Sequence, residues 1–411
     1  MSNVADFDTI TIEEATDRLI DYRGKTPPKT DLGVRLITAK VVKGGQILEE
    51  PAEFIAEDFY DEWMRRGLPQ KLDVLLTTEA PLGELAILRG SERIALAQRI
   101  ILLRAKPGHV DPVFLFYALQ SDFGQGELKA RGSGTTVLGI KQSELRKVRI
   151  PIFALPVQRR IAGILSAYDE LLENSQRRIR LLEAMARRLY REWFVHFRFS
   201  GHEKHPRFAS PLGDIPQGWE VKKLGEIAED MRRNVPKGRL EEPKPYVGLE
   251  HIPRRSLALD AWETATELGS NKLEFKKGEV LFGKIRPYFH KVSVAPFDGL
   301  CSADTIVIRS RRPEHYAVVV ACVSSDAFVA EASATANGAK MPRANWDVLE
   351  KFPVVIPKGK VAEKFSALFA NIIAQQQALI FQIQNLRQTR DLLLPRLLSG
   401  EVELKTTEVV P

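Results

Sequence analysis

The chain has 411 residues, 44% apolar and 27% charged, the balance of an ordinary globular protein of two or three domains. A formal charge of +7 and a pI near 9.2 admit a nucleic-acid partner without requiring one. Two cysteines, Cys301 and Cys322, both beside small or apolar residues, exclude a disulfide framework and fit a reducing compartment. The opening MSNVADFDTITIEEATDRL lacks the basic and apolar regions of a signal peptide, and the longest apolar run, near 317–323, is too short to span a membrane, so a cytoplasmic protein without a membrane partner is expected.

Residues 1–155 read as a mixed domain. Apolar runs at 34–38, 74–77, 85–88 and 99–103, bounded by Gly, Pro or charge, predict short strands. Residues 112–121 carry a helical apolar face. Residues 131–136 (RGSGTT) form a small-residue loop, and a helical turn over 141–146 leads to a strand ending at Pro151. From 156 to 198 no further proline and only Gly163 interrupts what reads as one helix, with Pro156 in its first turn. Ile161, Leu165, Tyr168, Leu172, Ser175, Ile179, Leu182, Ala186, Leu189 and Trp193 follow one another by alternating steps of four and three, the seam of a coiled coil. At about 1.5 Å per residue the rod is roughly 60 Å long. A helix of that length needs a partner. Residues 201–219, rich in Gly, Pro and His, read as a linker.

After the linker the pattern begins again. Residues 246–249 answer 34–38, 277–282 answer 70–76, 302–309 answer 96–103, and 325–328 answer 121–123. Residues 337–340 followed by 349–352 answer 133–136 followed by 145–148; all but the first correspondence fall at a shift of 204 to 207. Adding 204 to the seam gives Phe365, Phe369, Ile372, Gln376, Leu379, Ile383, Leu386, Arg390, Leu393 and Leu397, eight of them apolar. Pro395 is expected to end this second helix near Leu394. The fold class expected is α+β: a tandem duplication of a mixed α/β globular unit and a long helix. The divisions are 1–155, the helix 156–200, 201–357 with its linker, the helix 358–400, and a tail 401–411. The linker, reaching about 63 Å at full extension, is too short to run back along the rod, so the helices are expected to pair antiparallel with a globular unit at each end. An exposed flank bearing Tyr168, Tyr190, Trp193 and Phe194 further suggests that the chain depends on a partner for stability.

Catalytic and metal signatures do not stand out. The string 278–284 has the G-x4-G-K spacing of a phosphate loop, but Ile285 replaces the metal-binding hydroxyl residue and the middle is apolar, so a turn into a buried strand explains it better. What remains is a binding surface. Loop residues with donors and acceptors suited to base edges and phosphates are Arg23, Lys25, Thr26, Lys40, Lys43, Thr77, Thr78, Gln98, Arg99, Arg131, Ser133 and Lys141 in the first half. In the second half they are Arg232, Arg233, Asn234, Lys237, His251, Arg254, Lys284, Arg286, Tyr288, Asn337 and Lys340; acceptors are Glu79 in the first half and Glu250 and Asp304 in the second. Each of these can equally be a solvated charge or a turn former. Nine arginines against five acids in 156–198 lie mostly off the seam and read as a solvated flank. A non-catalytic adaptor, with two protein-binding units on a coiled-coil spacer, is the alternative function.

Three phrases resemble a known family: Arg23-Gly24-Lys25-Thr26-Pro27, Leu155-Pro156-Val157-Gln158-Arg159-Arg160-Ile161, and Leu393-Leu394-Pro395-Arg396-Leu397-Leu398-Ser399-Gly400-Glu401-Val402. With the half-length duplication they make the whole chain similar to the specificity subunit of type I restriction-modification enzymes. The resemblance implies two target recognition domains that read the halves of a split double-stranded DNA site. It also implies paired helices that set the spacing and dock two adenine methyltransferase subunits, with endonuclease/translocase subunits joining that core. No catalytic residue, metal or cofactor is expected here; S-adenosylmethionine, ATP and magnesium would belong to the partners. Val157, where the family often has Glu, and residues 358–364, which lack the Gln-Arg phrase, depart from the pattern and leave open whether both helix heads make equivalent subunit contacts.

Overall fold

The computed structural model describes residues 8–22 and 26–402. The chain forms two compact units, one of residues up to Leu171 and from Arg387 onward, the other of Leu172–Leu386. Each helix of the long pair is therefore shared between the units, so the division does not fall at the helix starts.

In the first unit the strands Val74–Thr77 and Ile100–Ala105 occupy the middle of a four-stranded antiparallel sheet, flanked by Thr16–Asp21 and Leu85–Ile87. Their near-continuous apolar runs follow from burial on both faces. Leu76, Ile101 and Leu103 face one core with the helix Pro112–Gln120, whereas Leu75, Ile100 and Leu102 face a second core with Val34, Leu36 and Ile55. Asp111 opens that helix by accepting from the backbone N–H groups of Val113 and Phe114 at 2.9 and 3.0 Å, and Pro112 occupies its first position.

The second unit repeats the plan. Thr305–Ser310 and Val280–Gly283 lie between Ala228–Asp230 and Val292–Val294 in the same order. A parallel pair, Gly238–Val247 with Gly299–Ser302, corresponds to Val34–Ile37 with Ile94–Leu96. Val280–Gly283 is buried throughout, so the string with phosphate-loop spacing is a core strand. Cys301 and Cys322 are buried free thiols. No single helix among the described residues is long and apolar enough to cross a membrane.

The first long helix spans Leu155–Tyr190 and the second Lys360–Leu398. In the first unit Ile161 and Leu165 share a core with Leu397 and Leu398, and Asp169 meets Arg390 at 2.8 Å. The two helices thus run antiparallel. In the second unit the rings of Trp193 and Phe194 lie 5.8 and 4.6 Å from that of Phe365. The polar seam residues Ser175 and Gln376 are buried with their apolar neighbours.

Four expectations are corrected. The first helix does not reach residue 198: after Tyr190 it opens into a π-helical turn, Arg191–Val195, in which the consecutive Trp193 and Phe194 are both buried. Residues 201–219 are not a bare linker. Arg207–Ser210 and Gly213–Pro216 form a hairpin, and Trp219 packs with Phe194, Phe197 and Phe199, their ring centroids 5.2 to 5.8 Å away. The aromatic flank expected to need a partner is in part covered by this segment, leaving Trp193 and Phe194 below a tenth exposed. Finally, Pro395 lies inside the second helix, because burying Leu397 and Leu398 in the first unit's core outweighs one lost backbone hydrogen bond.

Candidate nucleic-acid interface

In the first unit three segments converge beyond the ends of the central strands: the turn 78–84, the turn 97–99 and the loop 131–141. Backbone hydrogen bonds define the junction. Thr78 N–H donates to Arg99 O at 2.9 Å, Ile140 N–H to Thr78 O at 3.0 Å, and Ser133 and Gly139 exchange two bonds of 2.7 and 3.0 Å that pinch the loop shut. Gly134, at φ +127°, stands where a Cβ would lie 2.2 Å from the Val137 carbonyl oxygen, so only glycine closes this loop. Arg99 and Glu79 pair across the junction at 2.7 Å, both about half exposed.

The second unit reproduces this frame bond for bond. Lys284 N–H donates to Asp304 O at 2.8 Å, Ala344 N–H to Lys284 O at 2.9 Å, and Asn337 and Arg343 exchange bonds of 3.0 and 2.8 Å. Gly338, at φ +107°, takes the place of Gly134. Here the ion pair joins Arg343 to Asp304 at 3.4 Å. Arg286 adds a backbone bond to Pro342 O at 2.7 Å. Tyr288, 54% exposed, lies edge-on to Phe289, over whose ring the Arg254 guanidinium stands 4.1 Å from the centre.

This arrangement sorts the residues chosen from sequence. Gln98, Arg99, Ser133 and Lys141 belong to the first junction, and Lys284, Arg286, Asn337 and Lys340 to the second. Thr77 and Thr78 belong there too, but buried rather than presented. The Thr77 hydroxyl donates to Pro81 O at 2.6 Å and accepts from Glu84 N–H at 2.9 Å, and that of Thr78 donates to Arg99 O at 3.4 Å. They shape the turn; they do not face a ligand. Arg131 is held by Glu127 and Glu144 at 3.5 and 3.8 Å, and Lys40 by Glu53 at 3.0 Å. Arg233 is likewise committed, its guanidinium gripping the buried Glu279 carboxylate through two bonds of 2.8 and 2.5 Å. Arg232 pairs with Asp230 at 2.7 Å, and His251 Nδ1 accepts from Gly248 N–H at 2.9 Å to fix a turn. Thr26, Lys43, Asn234 and Lys237 are exposed outside both junctions' hydrogen-bond frames. Arg23 and Lys25 lie outside the described residues. Arg343 was missed: it corresponds to Gly139, and only carrying the repeat three residues past Lys340 would have found it.

Among the described residues no group of three or more His, Cys, Asp or Glu side chains could hold a metal ion. The perturbed ionisable groups are structural. Burial pushes Cys301 and Cys322 up to about 12, and Glu183 is also raised, chiefly by burial. Both junctions offer cations, amides and carboxylates on exposed loops, which suits recognition rather than bond-making.

Comparison with known proteins gives the same direction. The family model "Type I restriction modification DNA specificity domain" matches residues 38–184. The specificity subunit of the type I restriction enzyme MjaIX from Methanocaldococcus jannaschii is 28% identical over 364 residues, covering 85% of this chain and 82% of that protein. The EcoDI specificity subunit from Escherichia coli is 23% identical, covering 78% and 76%. The crystal structure of the type I restriction-modification S subunit from M. genitalium has the same fold, with a TM-score of 0.60 at 17% identity over 97% of each chain. The chain is thus similar to the type I restriction specificity subunits. The matched domain supports a DNA sequence-recognition role, the non-catalytic role of the specificity subunits it resembles.

Proposed function

We propose that each unit of this specificity subunit reads one half of a bipartite, asymmetric target in double-stranded DNA, using the junction of loops beyond its central strands. The supporting observation is that the same backbone frame recurs in both units while the side chains it carries differ, for example Arg99 against Asp304 and Gly139 against Arg343. Equal frames with unlike side chains suit two half-sites of unlike sequence. The long helices hold the two readers on one chain and offer the surface on which two adenine methyltransferase subunits dock, with endonuclease/translocase subunits joining them in the cytoplasm. S-adenosylmethionine, ATP and magnesium belong to those partners.

The test is a map of methylated adenines in cells with and without this chain and its partner subunits. A two-part motif that appears with the chain is the expected result. Replacing residues 1–154 by the corresponding segment of another specificity subunit should change one half of that motif alone; a change in both halves, or in neither, refutes independent reading. Binding of the assembled complex to DNA should weaken steeply with salt, because phosphate contacts release counterions.

A further inference from the structure

We infer that the ion pairs Arg99–Glu79 and Arg343–Asp304 are the base readers of their respective units, each arginine meeting a guanine edge and each carboxylate orienting it beforehand. The inference rests on the proposed reading of DNA by the two junctions. The pairs are separated by 2.7 and 3.4 Å, and both arginines are 48% exposed with carboxylates 44% and 38% exposed. An ion pair this open to water adds little to stability. The loops do not need it, since backbone hydrogen bonds already close them: Thr78 to Arg99, Ile140 to Thr78 and Ser133 to Gly139 in one unit, and their three counterparts in the other. Each pair is thus held by its backbone and free to exchange its partner for a ligand.

The pair does not occupy the same positions in the two units, since the counterpart of Glu79 is Ile285. In the first, the cation stands on the turn 97–99 and the anion on the turn 78–84. In the second, the position matching Arg99 is Asp304, and the cation has moved to the loop at Arg343, where the first unit has Gly139. A structural brace inherited with the frame would be expected at the same positions in both units. What the change alters is which loop offers the donor fork, and therefore where along a bound duplex the guanidinium falls. Arginine's planar pair of N–H groups matches the O6 and N7 acceptors of guanine, and a neighbouring carboxylate keeps that plane from swinging. The other junction arginines are otherwise engaged: Arg131 is divided between two carboxylates, and the Arg286 guanidinium donates to Lys340 O at 3.4 Å. Glu79 and Asp304 are accordingly positioning residues.

The experiment compares methylated-adenine maps from cells carrying the full chain with its partner subunits, as wild type, Arg99→Ala, Arg343→Ala, Glu79→Gln and Asp304→Asn. Arg99→Ala should turn one guanine of one half-site into a degenerate position, with discrimination there falling roughly ten- to hundredfold. Arg343→Ala should do the same in the other half-site alone. The two carboxylate variants should loosen the same two positions to a smaller degree, with thermal midpoint and complex assembly unchanged, a pattern that a purely structural role would not give. Unchanged motifs in the arginine variants overturn the inference, as does loosening in both half-sites at once. Should an alanine variant abolish methylation, Arg99→Gln or Arg343→Gln decides: an altered base at a single position supports the assignment, and continued loss overturns it. A wild-type map without a two-part motif would instead remove the underlying reading, which separates the two failures.

Discussion

Glu183 fastens the first long helix to the second unit, and its replacement tests how that attachment works. Its side chain is 5% exposed. One carboxylate oxygen accepts from the Ser256 hydroxyl, from Leu257 N–H at 2.8 Å and, more weakly, from Ala258 N–H at 3.4 Å. Burial raises its pKa above the usual carboxylate value of 4.5 despite these donors. An acid with a raised folded pKa contributes its full stability below the unfolded value and loses part of it as pH rises through the folded value. At neutral pH the charge is therefore a net burden, while the hydrogen-bond acceptor is a net gain. Glu183→Gln keeps an acceptor and removes the charge, so its stability should match or slightly exceed wild type at neutral pH. Glu183→Ala strands the Leu257 N–H, at about 1–3 kcal/mol for an unsatisfied buried donor. Ala258 N–H retains the Ser256 hydroxyl at 3.2 Å, so a total near 2 kcal/mol is expected. Urea unfolding of the full chain, followed by tryptophan fluorescence, to which Trp193, Trp219, Trp262 and Trp346 of that unit contribute, measures both. Equal losses for glutamine and alanine, or none for alanine, would refute the assignment.

Three further substitutions probe the helices and the second sheet. Gln376 is buried on the seam with an Nε2 that has no hydrogen-bond partner among the described residues, so Gln376→Leu should stabilise the chain by about 1 kcal/mol in the same urea assay. Arg390 faces Asp169 at 2.8 Å, and the Tyr117 hydroxyl donates to the same carboxylate at 2.6 Å. Arg390→Met should cost about 2–3 kcal/mol, and adding Asp169→Asn should recover part of it in a double-mutant cycle. Burial pulls the His290 pKa below 6.5, against the opposing effects of its Ser324 carbonyl partner and nearby Asp326. The unfolded chain then takes up a proton first as pH falls, so this contribution is complete above about pH 6.5 and is lost as pH drops through the lowered folded value. Unfolding midpoints at about pH 7.5 and pH 5 should differ less in His290→Gln than in wild type.

The frame of the protein was readable where burial imposes a period on the sequence. Val74–Thr77 and Arg149–Pro151 end where the apolar runs and Pro151 placed them, and the seam of the first helix is buried or half-buried at every step from Ile161 to Trp193. Elements without such a period escaped. The strand Thr16–Asp21 alternates charged and apolar residues beside a short capped helix, and the helix Asp122–Ala130 contains two glycines. The hairpin in 201–219 was hidden by its Gly, Pro and His content, although Ile215 and Trp219 marked it as a segment with something to bury. Pro395 was given its local effect without the weight of the two leucines beyond it. Among candidate contacts, residue type alone could not distinguish a presented arginine from a committed one. Arg233 and Arg99 look alike in sequence, yet one meets a carboxylate 5% exposed and the other a carboxylate 44% exposed.

That last contrast bears on how one fold can read different sequences. In each junction the positions of the loops are set by main-chain groups, which every residue except proline supplies in full. The side chains that do shape the turns, such as Thr77, point inward. The side chains at positions 79, 99 and 139, and at 285, 304 and 343, take no part in the frame's backbone hydrogen bonds. Between the two units they have become Glu, Arg and Gly in one case and Ile, Asp and Arg in the other, with no loss of a frame hydrogen bond. A duplicated scaffold built in this way lets each copy change what it presents without renegotiating its fold. That is the physical requirement of the proposed reading of two unlike half-sites.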